Sequence, residues 1–168
     1  EWEEWGKTTI ARAVYEEIAC QFEAYCFLEN VKEGFSRHGA IHMQEELLSR
    51  ILKEKVRSLG TLDKGSKMIR KGLAKKKVFL VLDDVDNIDQ IEGLLGKQRS
   101  FGCGSRIIIT TRDVQLLNRV DAIYWPKFLG DKEARDLFMQ YAFRTNKPTR
   151  DHKHLTCHAI EYARGLPL

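Results

Sequence analysis

The tripeptide Gly6-Lys7-Thr8 has the residue types that bind phosphate. It stands directly before a stretch with helical periodicity, where the backbone N–H groups of a helix start can hold phosphate oxygens. The lysine ammonium can neutralise the β- and γ-phosphates of a nucleotide, and the threonine hydroxyl can ligate Mg²⁺. Taken alone the tripeptide is weak support for such a site, because a solvated lysine before a helix is common.

A second half of this candidate site follows a strongly apolar run. Val78–Leu82 leads into Asp83 and Asp84, and open α/β sheets bind ligands at the carboxyl ends of their strands. One carboxylate there can hold Mg²⁺ through water, and its neighbour can orient an attacking water. The aspartate pair alone is equally compatible with a solvated strand end or a helix cap. Together with Gly6-Lys7-Thr8, roughly seventy residues upstream, it favours a nucleotide site.

A third element is the run Thr110-Thr111-Arg112 at the end of another apolar stretch. A guanidinium at this position can reach a γ-phosphate and report whether that phosphate is present. The spacing is equally compatible with a surface arginine that lies near Asp113. Both interpretations stay open at this point.

Hydrophobic periodicity predicts the elements that position these residues. Predicted helices cover Thr8–Phe22, Ser66–Leu73 and Ile88–Leu95, with a further helical stretch at Leu47–Leu52 and a loop at Gly34–Gly39. Predicted strands cover Ala24–Leu28, Lys77–Val85, Ser105–Thr111 and, as an edge strand marked by Pro126, Ala122–Phe128. Helices that alternate with apolar strands predict an α/β fold with a parallel sheet and helices on both faces.

The pattern changes after Gly130. Asp131 and Asp151 can each cap an amphipathic helix, and no strand is predicted between the two helices. We therefore predict two parts, a nucleotide-binding part at residues 1–129 and a partial helical subdomain at residues 130–168.

Composition excludes several classes of protein. The 168 residues are 43% hydrophobic with a net charge of +4, which argues against disorder, and the apolar runs are too short to span a bilayer. The basic run Lys64–Lys77 has no interleaved aromatic residue, so nucleic-acid binding ranks last. The four cysteines form no Cys-x-x-Cys pair and predict reduced, packed residues of a cytosolic protein. The pairs His38/His42 and His154/His158 are interpreted as surface residues.

Five sequence motifs that occur in order along the chain indicate a protein family. They are GKTT, FLENVKE, KVFLVLDDVD, GSRIIITTRD and a terminal GLPL. The set resembles the NB-ARC domain of plant disease-resistance proteins, the nucleotide-binding, leucine-rich-repeat immune receptors, over essentially the whole chain. FLENVKE, and Asp86 after LDDV, resemble the subclass with an N-terminal TIR domain. The resemblance implies a three-layer P-loop NTPase fold followed by part of a helical ARC subdomain.

The same resemblance implies a switch between ADP and ATP that slow hydrolysis resets. It assigns Gly6, Lys7, Thr8 and Thr9 to the phosphates, with Thr8 and Asp83 at Mg²⁺. It makes Asp84 the catalytic acid, Arg112 the γ-phosphate sensor and Pro167 a neighbour of the adenine.

The resemblance also implies partners. These are TIR and leucine-rich-repeat domains outside this sequence and, on activation, further copies of the receptor. The expected location is cytoplasmic or nucleocytoplasmic, with no membrane span. Two alternatives stay open: a P-loop ATPase with fast turnover, and a nucleotide-free interaction module.

The stretch before Lys7 departs from the family pattern. Where the family has Gly-Met-Gly-Gly-Val-Gly, this chain has Glu1-Trp2-Glu3-Glu4-Trp5-Gly6. Glutamate lacks the conformational freedom of glycine, and three carboxylates repel a polyphosphate. Reading glycine codons one base late converts such a run into Glu-Trp-Glu-Glu-Trp, so we hypothesise a frame error here. We also expect the chain to be a fragment from the P-loop to GLPL, with the central first strand of the sheet upstream of it.

Overall fold

The computed structural model describes residues 6–56, 58–96, 101–143 and 150–167. These residues fall into two compact units. The larger unit is Thr8–Ile123, and the smaller unit comprises the described residues from Tyr124 onward together with Gly6 and Lys7. The predicted boundary between residues 129 and 130 stays a prediction.

The larger unit alternates helices and strands. Its elements are α1 (Lys7–Ile18, begun by one residue of the smaller unit), β1 (Ala24–Leu28), α2 (Val31–Leu52), α3 (Leu62–Leu73), β2 (Val78–Val85), α4 (Ile88–Leu95) and β3 (Arg106–Thr111). Short 3₁₀ turns follow α1 at Ala19–Gln21 and β3 at Val114–Arg119. The three strands are parallel in the order β1-β2-β3, with Leu82 paired to Leu28 on one side and Ile109 on the other.

Strand β2 lies at the centre of this sheet because both of its faces are apolar. Val78, Leu80 and Leu82 pack into a core formed with α2, α3 and α4, whereas Phe79 and Val81 pack into a second core formed with α1. All five side chains are fully buried. Continuous apolar runs of this kind are typical of parallel strands that helices cover on both faces. The predicted three-layer α/β fold is therefore confirmed.

Aromatic rings fill the core between the sheet and α1. The Phe79 ring stacks on Phe22 with centroids 5.0 Å apart and on Tyr15 with centroids 5.7 Å apart. Tyr15 also meets Phe27 edge-on at 5.5 Å. These contacts hold α1 against β1 and β2.

Two sequence predictions about elements are wrong. Gly34–Gly39 was predicted as a loop but lies inside α2, which is kinked at Gly39 (φ 80°, ψ 166°). The missing side chain of Gly34 makes room for the Met43 thioether from beyond the kink. The strand predicted at Ala122–Phe128 is irregular, since Pro126 has no N–H for a ladder and Tyr124, Trp125 and Phe128 are more than half exposed.

The cysteines are free, as predicted, but they are not all packed. Cys20 and Cys103 are exposed, and Cys26 is buried. Burial raises the pKa of Cys26 to about 12, so this thiol stays neutral at physiological pH and acts as a small apolar core residue.

The smaller unit contains two helices, α5 (Asp131–Ala142) and α6 (Arg150–Ala163). Gly130, rather than the predicted Asp131, is the N-cap of α5, and its N–H donates to the Glu133 carboxylate at 2.9 Å. The N–H of Leu129 donates to the carbonyl of Gly165 at 2.8 Å, which ties the Gly-Leu-Pro stretch to the chain before α5. Among the described residues, no helix is long and apolar enough to cross a membrane.

Replacing Phe79 by alanine should destabilise the larger unit strongly. The side chain is fully buried between two rings, and such truncations cost about 3–5 kcal/mol of unfolding free energy. Urea unfolding followed by circular dichroism measures the loss. The control is Val114→Ala, at a side chain that is 57% exposed, which should change the unfolding free energy by less than about 0.5 kcal/mol. Equal effects of the two substitutions would contradict the described packing.

Candidate functional site

The start of α1 has the features of an anion site. Gly6 takes the left-handed conformation (φ 65°) and the helix begins at Lys7. The first turn itself contains no acidic residue, and the positive end of the helix dipole lies there. Thr8 and Thr9 are exposed. Backbone N–H groups at a helix start can bind a phosphate, and that role of this turn stays a prediction.

The Asp83 carboxylate joins this helix start to the end of the sheet. Asp83 is only 2% exposed, and its Oδ1 accepts hydrogen bonds from two hydroxyls, Thr8 Oγ1 and Thr110 Oγ1, each at 2.7 Å. A buried carboxylate is costly unless donors compensate it. The two threonines supply those donors from α1 and β3, and the structure thereby brings Thr8 and Asp83 together as the sequence predicts.

Both aspartates of β2 lie in a β-bulge. Leu82 pairs with Ile109 and Val85 pairs with Thr111, so Asp83 and Asp84 together face Thr110 alone. Asp84 is left-handed (φ 54°), and its N–H donates to Thr110 Oγ1 at 2.9 Å. Bulges of this kind redirect side chains and recur beside active sites. The two carboxylates consequently have different surroundings, with Asp83 buried and the Asp84 side chain 36% exposed.

Arg112 lies beside Asp84. The guanidinium Nε is 3.9 Å from Asp84 Oδ1, and the arginine side chain is half exposed. Asp113, the alternative partner that the spacing allowed, accepts the N–H of Gln115 at 2.8 Å and caps the following 3₁₀ turn. The pair of Arg112 and Asp84 is solvated, so by itself it contributes little to stability. Arg112 lies close to the end of β2, where open α/β sheets bind ligands, so its guanidinium can contact a charged group of a ligand there.

Pro167 contacts Gly6 within the smaller unit. A Cβ atom built on Gly6 would lie 3.1 Å from Pro167 Cγ, so a residue larger than glycine would press on the proline ring. Among the predicted site residues, the structure thus joins Thr8, Asp83, Asp84 and Arg112 in the larger unit, and Gly6 with Pro167 in the smaller unit. Glu1–Trp5 lie outside the described residues, and the predicted repulsion from Glu1, Glu3 and Glu4 stays a prediction.

The oxygens at this site fit Mg²⁺. In octahedral coordination at 2.0–2.1 Å, neighbouring ligand oxygens lie about 2.9 Å apart, close to the 2.7 Å between Thr8 Oγ1 and Asp83 Oδ1. The described residues contain no cluster of three or more histidine, cysteine or acidic ligands. A hydroxyl and one carboxylate are the donors expected where phosphates and water complete the shell, rather than an all-protein cage.

Sequence reasoning gave Thr110 no role of its own. The residue is 7% exposed, and its hydroxyl contacts both Asp83 and Asp84. Its position at the end of the strand that pairs with β2 could have indicated a contact with the aspartates. The bulge was not visible in the sequence, because it depends on the register between two strands.

Comparisons with known proteins agree with this geometry. Residues 4–148 match the model of the NB-ARC domain. The chain is 43% identical over 166 residues to Disease resistance protein RPV1 of Vitis rotundifolia and 41% identical over 170 residues to TMV resistance protein N of Nicotiana glutinosa. It is 37% identical over 164 residues to Disease resistance protein RPP2B of Arabidopsis thaliana.

Each of these matches covers 97% of this chain but only 12–15% of the relative. The family assignment therefore applies to this domain, and it confirms the resemblance drawn from the five sequence motifs. With its parallel sheet, its helix start beside Asp83 and this match, the chain belongs to the NB-ARC domain family, together with domains of plant disease-resistance proteins.

Proposed function

We propose that this domain is the ADP/ATP-binding switch of a TIR-class plant immune receptor that controls defence signalling. The observation that carries the proposal is the pair of hydrogen bonds from Thr8 and Thr110 to the buried Asp83, directly at the start of α1. This arrangement offers backbone N–H groups to phosphates and two oxygens to Mg²⁺. The disease-resistance relatives support the assignment to an immune receptor.

In this proposal each residue has a separate task. Lys7, Thr9 and the N–H groups after Gly6 bind the phosphates, while Thr8 and Asp83 hold Mg²⁺, which supplies positive charge to the phosphate oxygens. Pro167, which contacts Gly6, borders the adenine.

Asp84 and Arg112 distinguish ATP from ADP. With ADP bound, Arg112 keeps its place beside Asp84, 3.9 Å away. A γ-phosphate offers the guanidinium a doubly hydrogen-bonded partner that is stronger than a solvated carboxylate. Asp84 is then free to accept a hydrogen bond from a water that attacks the γ-phosphate. Release of the phosphate returns Arg112 to Asp84, and the switch is reset.

Slow turnover suits a switch rather than a metabolic ATPase. The Asp84 side chain is 36% exposed, so bulk water competes with any single attacking water for its carboxylate. We propose a cytoplasmic receptor in which TIR and leucine-rich-repeat domains flank this domain, and in which the ATP state assembles with further copies.

One observation favours a second candidate function. Glu1, Glu3 and Glu4 stand where the family has glycines, and a loop with three carboxylates disfavours a polyphosphate. If these glutamates are genuine, the domain is a nucleotide-free interaction module. The codons at the genomic locus distinguish this case from a frame error.

The glycine-restored variant, Glu1→Gly with Glu3→Gly and Glu4→Gly, should bind ADP far more tightly than the unmodified protein. Removing three like charges and restoring close backbone approach should improve affinity by roughly 100-fold or more. Isothermal titration with ADP and Mg²⁺ measures the difference. Equal affinities would show that the glutamates do not oppose nucleotide binding, and no binding in either protein would overturn the proposed function.

Lys7→Ala in the glycine-restored variant should weaken ADP binding by roughly 100-fold, because a charge-assisted contact to the phosphates is lost. The matched control is Lys71→Ala, at an exposed lysine of α3, which should leave the affinity unchanged. Titration of both variants against ADP measures the effect. Retained binding in Lys7→Ala would refute the assignment of this loop.

Asp83→Asn and Asp84→Asn should have different effects. The first removes the charge at Mg²⁺, so nucleotide binding weakens and the receptor is silent. The second spares ATP binding but slows hydrolysis, so the ATP state accumulates and the receptor signals without a pathogen. The ratio of bound ADP to ATP, measured by chromatography, and cell-death signalling in leaves distinguish the two. Identical behaviour would contradict separate roles for the carboxylates.

A further inference from the structure

We infer that Thr110 is a positioning residue that holds the β2 bulge and thereby gives Asp83 and Asp84 their separate roles. The inference rests on the proposed function of Asp83 and Asp84, and it adds a residue that touches neither nucleotide nor metal. Its basis is a single buried hydroxyl that bonds to both aspartates.

The polarity of that hydroxyl is fixed. Thr110 is 7% exposed, and its Oγ1 donates to Asp83 Oδ1 at 2.7 Å and accepts the N–H of Asp84 at 2.9 Å. A hydroxyl has one proton to donate, and the Asp84 amide N–H can only donate to Thr110 Oγ1, so the proton of the hydroxyl points to Asp83. The lone pairs are then left for the Asp84 amide. The hydroxyl therefore donates to Asp83 and accepts from Asp84, and neither direction can be reversed.

The bond to the amide stabilises an unusual backbone. Asp84 has φ 54°, a left-handed conformation that residues other than glycine adopt infrequently and aspartate tolerates better than most. Such conformations persist where the surroundings impose them. The N–H of Asp84, turned out of the regular ladder by the bulge, has Thr110 Oγ1 as its acceptor. Without that acceptor a partly buried amide would lose its partner, and regular pairing of β2 with β3 would be favoured.

The bond to the carboxylate orients Asp83 toward α1. Its Oδ1 accepts one hydrogen bond from the Thr110 hydroxyl and one from the Thr8 hydroxyl. Hydrogen-bond partners of this kind hold a ligating carboxylate in place, and their removal typically lowers metal affinity by 10- to 100-fold. Thr110 thus acts on Mg²⁺ through Asp83 and on the contact of Arg112 through the position of Asp84.

The neighbouring Thr111 offers a matched control. Its hydroxyl accepts the N–H of Asp113 at 2.9 Å, and it lies in the same strand. Removing it changes a local turn and leaves both bonds of Thr110 in place. Any effect that is specific to Thr110 must therefore come from its bonds to Asp83 and Asp84.

The test compares Thr110→Val, Thr110→Ser and Thr111→Val in the glycine-restored variant. Valine keeps the shape of threonine and removes the hydroxyl, whereas serine keeps the hydroxyl. For each protein, ADP affinity is measured with and without Mg²⁺, and hydrogen exchange of the Asp84 amide is measured by NMR. Thr110→Ala serves as the second hydroxyl-free variant if Thr110→Val does not fold.

In Thr110→Val we expect the gain in ADP affinity from Mg²⁺ to fall by roughly 10- to 100-fold, while the affinity without Mg²⁺ is unchanged. The Asp84 amide should exchange at least about tenfold faster, since its acceptor is gone. Thr110→Ser and Thr111→Val should behave like the parent. A merely structural role would lower both affinities together.

Thr110→Val with the Mg²⁺ response and the exchange rate of the parent would overturn the inference. So would an equal loss in Thr111→Val. A parent that binds no ADP would instead overturn the proposed function, and the exchange rate of the Asp84 amide, which needs no nucleotide, would still decide whether Thr110 holds the bulge.

Discussion

The buried carboxylate of Asp83 binds two hydroxyls, Thr8 Oγ1 and Thr110 Oγ1, each at 2.7 Å from the same oxygen. A charge that is 2% exposed needs such donors, since burial without them is strongly unfavourable. The requirement ties the first turn of α1 to the ends of β2 and β3. Removing either donor would leave Asp83 with half of this compensation, so the chemistry of the site and the stability of this corner of the fold depend on the same two bonds.

The apolar core makes that arrangement possible. Phe79 and Val81 pack toward α1, and Leu80 and Leu82 pack toward the other helices, so β2 is held on both faces up to Leu82. At the next residue the regular ladder stops, and the bulge begins. The rigid part of the strand thus delivers Asp83 to a defined place, and the irregular part gives Asp84 a different, more exposed one. The division of roles between adjacent carboxylates follows from this transition.

Local sequence patterns predicted most elements because their signals are short-range. The run from Val78 to Leu82 predicted a strand buried on both faces, and its end at two aspartates placed half of the site. The patterns failed where distant contacts decide. Gly34 and Gly39 predict a loop, yet α2 continues on both sides of its kink at Gly39, and Gly34 packs against Met43. The sequence around Thr110 predicts only a strand residue. The register of β3 with β2 brings its hydroxyl into contact with both aspartates.

Anomalous diffraction from crystals of the glycine-restored protein with ADP and Mn²⁺, in place of Mg²⁺, tests the central claim most directly. The account predicts a manganese peak at bonding distance from Thr8 Oγ1, about 2.1 Å as for Mg²⁺, with Asp83 as its neighbour directly or through one water. Thr8 Oγ1 binds the metal through a lone pair, so its proton is still available to the Asp83 carboxylate. ADP bound with the metal away from Thr8 Oγ1 would contradict the account.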